Sequence, residues 1–277
     1  MDLLISTQWL ADHLNTPDLV LIDASWHMPA TKRSGAAEFA EKHIPGAVFF
    51  DLDAVSDHST PLPHMLPDAQ SFARAMSALG LRNTSRAIIY DAAGLFSAPR
   101  LWWMLHVFGF HNVGILDGGL PAWIAEGRAT ETGPAPQRSG NFTPIRKDNL
   151  VAGLEEVRAA LAGGSDLVLD ARAADRFYGR AAEPRPGLAC GHMPGALNLP
   201  SSDLVANGRL KEPQALKEAL NALGVDGRQP VITSCGSGVS AAIITLAMAR
   251  VGLPLGRLYD GSWTEWGGRA DLPVATE

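Results

Sequence analysis

The chain alternates short, almost uniformly apolar runs with longer stretches whose apolar positions recur every three or four residues. Runs of the first kind are "LVLID" (19–23), "AIIYD" (87–91) and "VGIL" (113–116), answered further along by "LVLD" (167–170), "PVITS" (230–234) and "GRLY" (256–259). They predict strands. Stretches of the second kind are "DAQSFARAMSALG" (68–80), "SAPRLWWMLHVFG" (97–109), "PQALKEALNALG" (213–224) and "VSAAIITLAMARVG" (239–252). They predict helices, each ending at a glycine suited to the residue just past a helix. Strands alternating with helices predict an α/β fold with largely parallel sheets flanked by helices.

The pattern occurs twice. "VLIDAS" (20–25) returns as "LVLDAR" (167–172), "HIPGAV" (43–48) as "HMPGAL" (192–197), and "DGGLPAW" (117–123) as "DGSWTEW" (260–266), at nearly the same offset each time. Two divergent copies of one domain follow from this. Between them, 128–144 is rich in Gly, Pro, Ser and Thr without periodicity, which reads as an exposed linker. The expected division is a first domain over 1–130, a linker over 131–146 and a second domain over 147–277.

Composition narrows the function classes. Hydrophobic residues make up 46% and charged residues 19% of the 277, and no apolar run is long enough to cross a bilayer. The first residues lack the basic start and small-residue cleavage site of a secretory signal, so a cytoplasmic location is expected. Net charge is -6 with the basic residues scattered, which argues against a nucleic-acid partner. The two cysteines, Cys190 and Cys235, are too few for a disulfide framework or a Cys-rich zinc site.

Cys235 stands at a telling place. It follows the strand "PVITS" and precedes the helix "VSAAIITLAMARVG", where α/β sheets collect their ligands. Gly236 and Gly238 let the loop backbone take dihedrals closed to other residues, so that successive N–H groups turn inward around one point. Amide donors and the helix dipole there favour a thiolate. The alternative is a buried cysteine acting as a small hydrophobe. A phosphatase would use a similar loop but needs an arginine six residues after the cysteine, and position 241 is Ala. The matching loop of the first copy, "YDAAGLFSAPR" (90–100), puts Asp91 or Ala92 in the place of Cys235, so only the second copy can do thiol chemistry.

In order along the chain, "LIDASW" (21–26), "HIPGAVFFDLD" (43–53), "PHMLP" (63–67), "SAPRLWWM" (97–104), "DARAADRFYGRAAEPRPG" (170–187), "GHMPGALNLP" (191–200), "CGSGVS" (235–240) and "YDGSW" (259–263) resemble the rhodanese-type sulfurtransferases. The resemblance implies two tandem rhodanese-like domains, the second one catalytic, with Cys235 taking sulfur as a persulfide and handing it to an acceptor. Members that use thiosulfate carry basic residues just after the cysteine. Here Gly236 and Ser237 are neutral, which favours 3-mercaptopyruvate as donor, and its carboxylate then needs arginines from elsewhere. By resemblance these are Arg176 and Arg185, with Arg172 and Arg180 as lesser competitors.

The resemblance also implies that Ser237 acts with Asp53, that Gly236, Gly238, Val239 and Ser240 complete the substrate loop, and that His64 lines the site. Each has a plainer reading, as a turn serine, a loop-capping aspartate or an exposed histidine. His43 and His192 recur in both copies and are expected to be structural; Cys190 is expected to be non-catalytic; Trp102, Trp103, Trp123 and Trp266 are expected in the core. No cofactor and no metal are expected. Expected partners are the small-molecule donor, a cyanide or thiol acceptor and a thioredoxin-like reductant, without nucleic acid or membrane. Two rival readings are a thiosulfate sulfurtransferase and a rhodanese-like module that only binds.

Overall fold

The apolar runs become strands because their side chains can be buried on both faces once helices cover the sheet. In the computed structural model, which describes residues 1–277, they form two sheets of identical topology. The chain divides into unit 1 (Met1–Ser56, Pro67–Lys147 and Asn207–Leu210) and unit 2 (Asp57–Leu66, Asp148–Ala206 and Lys211–Glu277). Each unit therefore includes a short segment drawn from the other half of the sequence.

Unit 1 contains β1 (Leu4–Ile5), β2 (Leu19–Asp23), β3 (Val48–Phe49), β4 (Arg86–Tyr90) and β5 (Val113–Leu116), in the order β1-β5-β4-β2-β3 with every pair parallel. The second sheet has β6 (Val151–Ala152), β7 (Leu167–Asp170), β8 (Leu197–Asn198), and, beyond the short β9 (Val205–Ala206) and β10 (Arg209–Leu210), β11 (Val231–Ser234) and β12 (Arg257–Tyr259). Its order is β6-β12-β11-β7-β8, again parallel throughout. Parallel neighbours need crossover connections, and helices supply them.

Those of unit 1 are α1 (Thr7–His13), α2 (Gly35–Glu41), α3 (Leu52–Val55), α4 (Ala69–Ala78), α5 (Ala98–Val107) and α6 (Gly119–Ala125). Those of unit 2 are α7 (Leu154–Gly163), α8 (Ala174–Phe177), α9 (Pro213–Asn221), α10 (Ala241–Arg250) and α11 (Ser262–Trp266). Gly80, Gly109, Gly224 and Gly252, the four expected helix-ending glycines, all have φ between 79° and 89°. That left-handed turn is closed to most side chains.

The tryptophans lie in the interior. Trp102 and Trp103 are buried on α5. Trp123 and Trp266 occupy matching places in the two cores, and each donates its ring N–H to a carbonyl six or seven residues on, Ala129 at 2.7 Å and Pro273 at 2.8 Å. Residues 131–146 are mostly exposed, but they are tied to unit 1 rather than loose. His43 and Glu131 exchange backbone hydrogen bonds, Gly140 N–H donates to Ser77, and Ile145 N–H to Phe108. A Cβ at Gly140 would stand 2.1 Å from the Leu81 carbonyl oxygen, so the stretch can lie this close only with glycine there.

The repeated aspartates end equivalent strands and are compensated differently. Asp170 is fully buried and paired with Arg172, whose guanidinium donates to both carboxylate oxygens. Asp23 has no arginine; it accepts from the N–H and hydroxyl of Ser25. Burial outweighs those bonds and raises its pKa to about 6. The folded state then holds a proton that the unfolded chain releases, so this site's contribution is full below pH ~4 and is lost as pH rises toward 6, a change of about 3 kcal/mol. The predicted consequence is that Asp23→Asn, which keeps an oxygen for Ser25, gains thermal stability relative to the parent as pH rises from 4 to 6.5 and then holds that gain. Melting curves of both proteins across this range test it, and a pH-independent difference would contradict it.

Candidate active site

β11 ends at Ser234, Cys235 is the next residue, and α10 begins at Ala241. The six-residue loop between them is pinned at its start. Cys235 N–H donates to the Ser262 hydroxyl at 3.2 Å, and that hydroxyl donates to the Tyr259 carbonyl at 2.7 Å. Trp263 N–H donates to the Cys235 carbonyl, and both the N–H and the hydroxyl of Thr264 donate to the Gly236 carbonyl. Three consecutive residues at the start of α11 thus hold three consecutive peptide groups, from Ser234–Cys235 to Gly236–Ser237. Ser262 has φ +49°, a left-handed conformation costly for a side-chain-bearing residue, and Gly119 occupies the same repeat position in unit 1 with φ +54°.

The two loop glycines serve different ends. Gly238 has φ +77° and makes the turn. Gly236 does not enter the left-handed region, contrary to the expectation that both glycines supply unusual dihedrals. It gives room instead: a Cβ there would stand 3.2 Å from Nη2 of Arg176. Cys235 is 2% exposed, and Ser237, Gly238 and Val239 are buried, while Ser240, half-buried, is the residue before α10 and makes no side-chain capping bond.

The first repeat shows what this loop does to a side chain at its opening position. Asp23 pairs with Tyr90 and Asp170 with Ser234, so Asp91, rather than Ala92, is the counterpart of Cys235. The Asp91 carboxylate accepts from the N–H groups of Ala93, Phe96, Ser97 and Ala98, at 2.7–2.9 Å. Four converging amides at the start of α5 make a site for one negative charge.

Ser237 is met by His64. The imidazole Nδ1 lies 3.0 Å from the Ser237 hydroxyl and 3.3 Å from its carbonyl. His64 is buried, has φ +63°, and belongs to the 57–66 segment of unit 2. Leu66 N–H donates to Asp260 at 2.6 Å, and Asp57 N–H to Met65, which holds the segment in place. Asp53, expected to act with Ser237, lies on α3 of unit 1, where its carboxylate accepts from the indole N–H of Trp26.

The arginines sort by burial. Arg172 is wholly buried between Asp170, Glu183 and the Gly191 carbonyl, with its guanidinium 4.1 Å from the Trp263 ring centroid. Burial opposes its charge, but the two carboxylates more than offset that and raise its pKa. It is structural. Arg180 is exposed and stacks on Tyr178. Arg176, on α8, pairs with Glu183 and reaches the Cys235 loop beside Gly236. Arg185 lies on the same 181–191 stretch, half-buried, two residues past Glu183.

His43 and His192 behave alike. Each bonds a backbone carbonyl through Nδ1, Phe39 and Phe177 respectively, and stacks on that same phenylalanine. Cys190 is exposed. No three His, Cys, Asp or Glu side chains are grouped to hold a metal ion. Sequence reading did not single out Ser262, Thr264 or Glu183. The departure of "DGSW" from "DGGL" between repeats was the signal available for Ser262; Glu183 had none beyond its place between Arg176 and Arg185.

The rhodanese-like domain family matches over residues 6–126 and again over 153–269. The 3-mercaptopyruvate sulfurtransferase of Escherichia coli (strain K12) is 45% identical over 98% of this chain and 96% of its own length. That of Homo sapiens is 39% identical over 96% and 92%. The crystal structure of SseA from Escherichia coli, a 3-mercaptopyruvate sulfotransferase, superposes with a TM-score of 0.87 at 42% identity, covering 95% of this chain and 99% of SseA. With both repeats matched and their topology shared, the chain belongs to the rhodanese family.

Proposed function

We propose that this chain transfers sulfur from 3-mercaptopyruvate through a persulfide on Cys235 to a thiophilic acceptor, releasing pyruvate. The observation that carries this reading is the place of Cys235. It stands where the other repeat gathers four amides around a carboxylate, and a guanidinium reaches the next residue of the same loop.

In the first half-reaction the Cys235 thiolate attacks the donor's sulfur. The sulfur–carbon bond breaks with its electron pair going to carbon, and the pyruvate enolate so formed takes up a proton. Loop amides from Ser237 to Ala241, with Gly236, Gly238, Val239 and Ser240 shaping the turn, stabilise the sulfur anion as their counterparts do Asp91. Ser237, bonded to His64, is the proton donor to the enolate carbon, with Asp53 assigned a supporting role on family resemblance. Arg176 and Arg185 grip the donor carboxylate. In the second half-reaction, cyanide or a thiolate attacks the outer persulfide sulfur and frees Cys235. A thioredoxin-like dithiol fits that role, and a reducing compartment such as the cytoplasm suits a working thiol.

Thiosulfate remains a second donor to weigh, because a relative in Arabidopsis thaliana, 38% identical, is named for both thiosulfate and 3-mercaptopyruvate. The neutral Gly236–Ser237 pair argues for 3-mercaptopyruvate. Thiocyanate production from each donor separates the two, and faster turnover of thiosulfate would reverse the assignment. Cys235→Ser is expected to lower transfer roughly a thousandfold, about 4 kcal/mol of transition-state stabilisation. Persistent transfer in that variant would leave a binding module as the better description. His64→Ala is expected to lower kcat for 3-mercaptopyruvate about tenfold or more while leaving its KM within a few-fold, the mark of a group needed in the transition state. Steady-state kinetics check this, and an unchanged kcat would remove His64 from the proton path.

A further inference from the structure

The geometry points to Glu183 as the positioning residue that aims Arg176 at the Cys235 loop. This inference rests on the reading of Arg176 as a ligand of the donor carboxylate.

Glu183 is itself almost fully buried, its side chain 2% exposed. Its Oε2 accepts from Nη2 of Arg176, and its Oε1 accepts both from Nε of Arg176 at 3.3 Å and from Nη1 of Arg172 at 2.8 Å. Arg176 is therefore gripped along the Nε–Nη2 edge of its guanidinium, which fixes the plane of the group, while Nη2, the atom nearest Gly236, keeps its second hydrogen for a ligand. An arginine free to rotate would have to be immobilised on binding, at a cost in affinity.

A carboxylate beside a substrate-binding arginine raises an obvious difficulty, since it would repel an anionic donor. Arg172 removes it. Asp170, Arg172, Glu183 and Arg176 form a row of alternating charge running from the end of β7 to the Cys235 loop, and the negative charge of Glu183 is shared with a fully buried cation. The row is neutral in sum and ends in a positive group, the partly exposed Arg176, at the loop. Held this way, Arg176 is oriented by a carboxylate without having its charge cancelled by it.

Because Glu183 acts through Arg176, a double-mutant cycle with 3-mercaptopyruvate tests the role. Glu183→Gln is expected to raise the donor KM about tenfold, with kcat within about threefold of the parent. In the Arg176→Ala background the same substitution is expected to add nothing to KM. The rate at which neutral iodoacetamide alkylates Cys235 should match the parent, since the loop itself is untouched. Additive KM effects, or an alkylation rate that falls with KM, would overturn the proposal in favour of general structural damage. If Arg176→Ala leaves KM unchanged, the reading of Arg176 fails; if it raises KM and Glu183→Gln does not, only the positioning role fails. Should Glu183→Gln not fold, Glu183→Asp takes its place in the cycle, keeping the charge but falling short of Arg176, with the same two outcomes.

Discussion

The loop where the central strand gives way to a helix is the constraint around which both repeats are built, and in unit 1 its amides hold a carboxylate. An anion buried without partners would cost many kcal/mol, and the loop removes that cost by turning several N–H groups onto one point. In unit 1 the Asp91 carboxylate fills the loop and ties it together with four hydrogen bonds. In unit 2 the same position carries the Cys235 thiol. Stability that unit 1 draws from its own loop must come from elsewhere in unit 2.

It comes from the turn after β12. Ser262, Trp263 and Thr264 hold the Cys235 and Gly236 peptides from outside the loop, and Asp260, just before them, takes the N–H of Leu66. One turn therefore fixes both the peptide that bears the thiol and the segment that brings His64 to Ser237. The strained backbone of Ser262 and of His64 is tolerated because these contacts determine both residues from several sides. Cation placement follows the same economy. The Cys235 loop has no basic side chain, so the positive charge beside it arrives from Arg176 on α8, and Asp170 and Glu183 keep the buried Arg172 neutralised.

The sequence alone determined the α/β class, the duplication, the six principal strands, four of the five long helices, with α7 the exception, and the absence of a thiol from the first repeat's loop. These are properties of local pattern: apolar periodicity, glycines after helices, and one cysteine on one of two matching loops. It also marked the duplicated His43 and His192 as parts of the fold, because a residue kept in both copies serves what the copies share, and each is bonded and stacked alike. What remained undecided were choices between residues of like chemistry. Asp91 and Ala92 could not be told apart until strand register paired Tyr90 with Asp23 and Ser234 with Asp170, and Arg176 could not be told from Arg172 by charge or spacing. Only tertiary structure decided those, because burial and pairing depend on what the surrounding chain brings near: Glu183 between two arginines, His64 against a serine far along the sequence, and Ser262 under the cysteine's own amide.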